Sequence, residues 1–164
     1  MTQQATSYVS GSGGGPLIGE TIGRHFDKTV TRWGDRLGLV VRQHAIRWTW
    51  RELAERVDAF AAGLVALGLQ PGERVGIWSP NSAEWTITQF ATAKAGLILV
   101  NINPAYRLSE LEYALTKVGC RALVTATSFK TSDYAGMLTT LLPELATCIP
   151  GQLRAARAPK LQHV

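Results

Sequence analysis

Cysteine is scarce in this sequence, with two residues, Cys120 and Cys148, in a chain of 164. No C-x-x-C pair occurs, and the three histidines, His25, His44 and His163, lie far apart. A structural zinc site gathers about four nitrogen or sulfur ligands, so this spacing provides no metal site and leaves two reduced thiols. Long apolar runs are also missing. The longest, Phe90 to Val100, is broken by Thr92 and Lys94 and is shorter than the roughly 20 residues of a membrane-spanning helix. Residues 1–16 lack the basic start and apolar core of a secretory signal, and they lack the arginines of a mitochondrial transit peptide. The expected location is therefore cytoplasmic.

The usual short catalytic signatures are absent. There is no Walker-type phosphate loop, no G-x-G-x-x-G after a strand, no G-x-S-x-G elbow and no H-E-x-x-H helix. The formal charge is +5, yet no dense basic stripe with interleaved aromatics supports nucleic-acid binding. Arg154, Arg157 and Lys160 fall in the last fifteen residues, which carry no acid, so 150–164 reads as a solvated, poorly ordered basic tail.

What remains is the composition of a folded domain, with 46% hydrophobic and 18% charged residues. Residues 1–16, rich in Gly and Ser, read as a flexible leader. Ile22, Phe26, Val30 and Trp33 share a helical face. Leu39 to Val41 and the alternating Ile46, Trp48 and Trp50 read as a strand pair turning at Gln43-His44. Thr49 and Glu52 form a capping box ahead of a helix carrying Leu53, Val57, Phe60 and Leu64. Strand then alternates with helix. Strands are expected at 74–78, 97–100 and 122–124, and helices at about 82–95 and 109–118, capped by Asn81 with Glu84 and by Ser109 with Glu112. A last helical stretch covers 134–142. This order predicts an α/β fold, a mostly parallel sheet with helices on both faces. Strands 97–100 and 122–124 read as inner strands. Ligands of such sheets bind beyond the carboxyl ends of the strands, here the loops 79–81 and 101–107. Asn81, Tyr106 and Arg107 are the cleft candidates in those loops. A helix cap for Asn81 and a surface contact for Arg107 compete with that role.

Residues 72–85, GERVGIWSPNSAEW, resemble the first strand, loop and helix of AMP-forming acyl-CoA synthetases. Residues 100–113, VNINPAYRLSELEY, are similar to the strand, loop and helix that follow in that family, and Thr49-Trp50-Arg51-Glu52-Leu53 resembles the opening of its first long helix. The likeness runs over about 17–145, in the family order. The Asn-Pro-Ala-Tyr-Arg loop points to the medium- and long-chain fatty-acyl branch. The resemblance implies the N-terminal part of an enzyme that turns acid, ATP and CoA into acyl-CoA, AMP and diphosphate, with Mg²⁺. It also implies an incomplete subdomain. The family's phosphate loop, metal-side Glu, ribose aspartate and C-terminal lysine have no counterpart in these residues, so no catalytic residue carries over and the chain alone is expected to be inactive. Self-association through an open sheet is expected. Two other readings stay open: a non-catalytic nucleotide- or acyl-binding α/β module, and a remnant or interaction partner.

Overall fold

The computed structural model describes Gly13, Gly15 and residues 17–164. The expected leader, 1–16, falls almost wholly outside them. Helix α1 (Ile22–Trp33) starts at Thr21, whose hydroxyl accepts from the Arg24 amide. Strands β1 (Leu37–Val41) and β2 (Ile46–Thr49) pair antiparallel around a short 3₁₀ turn, Arg42–His44, closed by Ala45 at a φ of 53°. Trp50 does not extend that strand. It is the first residue of α2 (Trp50–Ala66), because the Thr49 capping box already turns the chain: the Glu52 amide donates to Thr49 and the Thr49 amide to Glu52.

The central sheet holds β3 (Arg74–Trp78), β4 (Ile98–Ile102) and β5 (Cys120–Thr125), all parallel, in the order β4-β3-β5. Helix α3 (Ala83–Lys94) crosses from β3 to β4, and α4 (Leu108–Val118) crosses from β4 to β5. A two-residue hairpin, β6 (Ser128–Phe129) with β7 (Ser132–Asp133), leads into α5 (Tyr134–Leu141).

Alternation along β3 sends neighbouring residues to opposite sides of the sheet. Val75 enters a core built by Phe26 of α1, Leu53, Val57 and Leu64 of α2, and Ala91 of α3. Trp78 enters the other core, with Leu111 and Leu115 of α4 and Tyr134, Leu138 and Leu141 of α5. Helices thus cover both faces, as the strand–helix alternation predicts. Gly76 is required by closeness. A Cβ there would stand 3.1 Å from Ile102 Cδ1 and from Leu123 Cδ1, so any side chain would push the neighbouring strands' core residues aside.

Several expectations are corrected. The strand read at 97–100 is β4, and it lies at the sheet edge rather than inside. Ile98 is 48% exposed, and β3 is the middle strand. The helix after β3 is capped by Ser82, not Asn81, since the Trp85 amide donates to the Ser82 hydroxyl at 3.2 Å. Helix α4 begins one turn's fraction earlier than Ser109. The Arg107 amide donates to Glu110, which leaves Glu112 free to pair with Arg157.

The largest correction concerns 150–164. Leu153, Ala155, Ala158 and Leu161 are buried in the α4/α5 core. The Leu123 amide donates to the His163 carbonyl and the Gln162 amide to the Arg121 carbonyl, so 162–163 pair with the free edge of β5 through an isolated parallel bridge at Ala122 and His163. The basic residues did suggest solvent, but the apolar residues between them, spaced two and three apart, hold the segment down. No helix among the described residues is long and apolar enough to cross a membrane.

This packing predicts an uneven response to substitution. Leu161→Ala should destabilise the fold by about 2–5 kcal/mol. Arg154→Ala, at an exposed position, should stay within about 0.5 kcal/mol. Urea unfolding of both variants checks this, and equal midpoints would contradict the docking of 150–164.

Candidate functional site

The carboxyl ends of β3 and β5 border a crevice of about 400 Å³. Ser79, Pro80 and Ser82 come from the loop after β3. Thr125, Ala126, Thr127 and Ser128 come from the end of β5 and its loop, and His44 and Glu84 reach in from the β1–β2 turn and α3. The two strand ends are tied together, with the Thr125 hydroxyl and the Ala126 amide both donating to the Trp78 carbonyl, at 3.1 and 3.2 Å. The crevice is hydroxyl-rich and carries one carboxylate, which suits hydrogen bonding to a polar ligand more than proton transfer. Beside it runs an open apolar groove of about 500 Å³ between α2 and α3, formed by Ala59, Phe60, Ile87 and Val124 with Arg56 at its rim. Glu84 and Val124 belong to both hollows, so they adjoin. The guanidinium of Arg56 sits 4.1 Å above the Trp48 ring, which holds that rim in place.

The loop after β4 is fixed from below. The Trp78 indole donates to the Asn103 carbonyl at 3.2 Å, and the Tyr134 hydroxyl donates to the Pro104 carbonyl at 2.5 Å. The two rings stack at 3.8 Å and 15°. Burial raises the Tyr134 pKa, against the nearby Arg107 charge, so the phenol stays a donor at neutral pH. Asn103 closes its own turn by accepting the Ala105 amide.

The three candidates separate on this frame. Asn81 is exposed, beside the crevice but not among the residues that form it. Tyr106 and Arg107 are exposed on the β4 side, where Arg107 faces Met137 of α5, and neither reaches the crevice. Sequence reading identified the loop after β3 but missed the loop after β5. Its run Thr125-Ala126-Thr127-Ser128 follows an apolar strand directly, and that hydroxyl cluster was the available signal.

Burial pushes the Cys120 pKa up to about 11, and Cys148 donates to the Leu145 carbonyl. Among the described residues no three His, Cys, Asp or Glu side chains gather to hold a metal ion, so no residue here is assigned to Mg²⁺.

A parallel sheet with helices on both faces and a polar crevice at its strand ends defines an α/β subdomain of the kind that takes ligands beyond its strand ends. Its sequence matches the AMP-binding enzyme model over residues 26–160, and the chain belongs to that family. It is 48% identical over 159 residues to the medium-chain acyl-CoA ligase ACSF2, mitochondrial, of Danio rerio, a match covering 97% of this chain and 26% of the relative. It is 37% identical to the putative acyl-CoA synthetase YngI of Bacillus subtilis, over 89% of this chain and 27% of the relative. Among solved structures, the putative long-chain-fatty-acid CoA ligase from Rhodopseudomonas palustris superposes with a TM-score of 0.68 at 26% identity, over 76% of this chain and 30% of that one. The chain therefore corresponds to part of an acyl-CoA ligase and spans about a quarter of the length of the curated relatives it matches. The match continues to residue 160, beyond the 145 at which the likeness read from the sequence ends.

The cap and the aromatic lock generate one set of expectations. Ser82→Ala should cost about 1 kcal/mol, and Asn81→Ala a few tenths at most. Tyr134→Phe should cost about 1 kcal/mol by leaving the Pro104 carbonyl without its donor. Chemical denaturation resolves all three, and a larger loss for Asn81 than for Ser82 would overturn the cap assignment.

Proposed function

We propose that this chain forms one wall of the substrate cleft of a medium-chain fatty acid:CoA ligase. The reaction of the whole enzyme joins acid, ATP and CoA to give acyl-CoA, AMP and diphosphate. The observation that carries this reading is the adjacency of the polar crevice and the apolar groove. A fatty acid has that same division, a charged head and an apolar tail. A carboxylate in the crevice can accept from the hydroxyls of Ser82 and Thr127, while the tail removes Phe60, Ile87 and Val124 from water. Burying about three methylenes there contributes roughly 2 kcal/mol. The naming of the Danio rerio relative as a medium-chain ligase supports the same chain-length class.

In this reading the chain supplies shape and desolvation, not the groups that stabilise the charge developing on the α-phosphate. Loss of even one such donor typically costs about a hundredfold. The isolated chain should therefore show no acid-dependent exchange of pyrophosphate with ATP. A chimera in which this chain replaces the matched segment of the Danio rerio ligase should show it. Within that chimera, Ile87→Glu should raise the KM for decanoate about tenfold or more and leave the KM for ATP unchanged. A folded chimera without exchange would sink the ligase reading and leave a non-catalytic acyl-binding module. An unchanged KM for decanoate would remove the tail from this groove.

We also propose that the isolated chain self-associates. The outer edge of β4 has no strand partner among the described residues, and the α2/α3 groove is open. Light scattering should show a mass that rises with concentration, and a constant monomer mass would contradict it.

A further inference from the structure

The opposite end of the sheet holds a depression of about 280 Å³ with a different chemistry. It is formed by Glu73, Arg74, Gly119, Arg121 and Lys160. Three cations from three separate segments converge there: the first residue of β3, the start of β5, and the turn before 161. Arg121 is placed by a break in the sheet register. Arg74 pairs with Cys120 and Val75 with Ala122, so Arg121 is the extra residue of a bulge. Bulges re-aim a side chain out of the strand's alternation, and parallel strands rarely contain them. The Arg121 carbonyl accepts from the Gln162 amide at 2.9 Å, which anchors the bulge to the segment that carries Lys160.

The negative charge at the depression does not match the positive. Glu73 is the one acid, and both its oxygens are engaged, one by Arg121 Nε at 3.4 Å and the other by the Gln70 amide at 2.9 Å. Arg74 and Lys160 make no ion pair among the described residues. Gly119 ends α4 in the left-handed region, at a φ of 66°, and the Lys160 stem lies across it. A Cβ on Gly119 would sit 2.9 Å from Lys160 Cδ, so only glycine leaves the lysine that path. The carbonyl end of α4 carries about half a negative charge, and Lys117 in its last turn already offsets part of that. The depression thus keeps a clear positive excess, with guanidinium groups whose forked donors fit tetrahedral oxyanions.

We propose that this depression binds a phosphate-class oxyanion, at the end of the sheet away from the substrate crevice. The inference is independent of the ligase reading. The volume admits a phosphate group, free or at the end of a larger molecule, and the two sources share the same donors.

The test is a titration of the labelled full chain at low ionic strength and pH 7, followed by backbone amide shifts. Inorganic phosphate and glycerol 3-phosphate are run side by side, with sodium chloride at matched ionic strength. Saturable shifts centred on Arg74, Gly119, Arg121 and Lys160, with a millimolar midpoint, are expected. Equal midpoints would show that the site reads the phosphate group alone, and a tighter ester that it also holds the attached molecule. Arg74→Gln and Lys160→Gln, which keep much of each stem, should each weaken binding about fivefold, with unchanged spectra elsewhere showing that the fold is intact. Chloride shifts equal to those of phosphate would overturn the proposal, as would variants that bind like the parent. If association broadens the spectra, the melting temperature serves as readout. Phosphate should raise it above the chloride control in the parent but not in the double variant, and equal rises in both would overturn the proposal.

Discussion

The fold depends on β3 having no free side. Both its edges are hydrogen-bonded, to β4 and to β5, and both its faces are covered. With no water available, each buried amide and carbonyl of β3 must find a partner in a neighbouring strand. That requirement fixes the register of β4 and β5, and the register fixes where their loops emerge. The crevice exists because β3 and β5 end at the same height, with Trp78 opposite Thr125. Gly76 keeps the strand close enough to Ile102 and Leu123 for this arrangement to close.

The two cores differ in completeness. The α4/α5 side is sealed by Leu153, Ala155, Ala158 and Leu161, which leaves Trp78 and Tyr134 fully buried. On the α2/α3 side, Phe60, Ile87 and Val124 are only half-buried. A sealed face stabilises, and a partly open one can receive a ligand or another segment. Placing the candidate cleft along the open side follows from that contrast.

Much of the architecture was legible because its signals are local. The Thr49–Glu52 box and the apolar runs at 74–78 and 122–124 each act over a few residues. What escaped depends on distant partners. Whether Ile98 lies inside a sheet or at its edge is set by strand order, to which an apolar run is blind. Ser82 and Asn81 are both good caps, and the choice between them depends on how the loop leaves β3. The segment 150–164 looked solvated because its charges are conspicuous, while its four buried residues join a core that reaches back to Trp78. At the site, the hydroxyls after β5 carried no motif, and only the shared height of two strand ends made them neighbours of Ser79.

The docking of 162–163 against β5 sets an order of assembly. The core under α2 and α3 draws almost entirely on residues 26–97, with Ala122 and the half-buried Val124 as its later members. The core under α4 and α5 reaches from Trp78 to Leu161. A chain emerging in sequence can therefore bury Phe26, Val57 and Leu97 together while Trp78 still waits for its partners. Domains grow from the N-terminus during synthesis, and long-range pairing comes late. Until Leu161 is released, the indole of Trp78 and the ring of Tyr134 form a half-closed surface. The last residues of this stretch thus act as a latch on the later-formed half, closing a sheet whose central strand lies more than eighty residues earlier in the sequence.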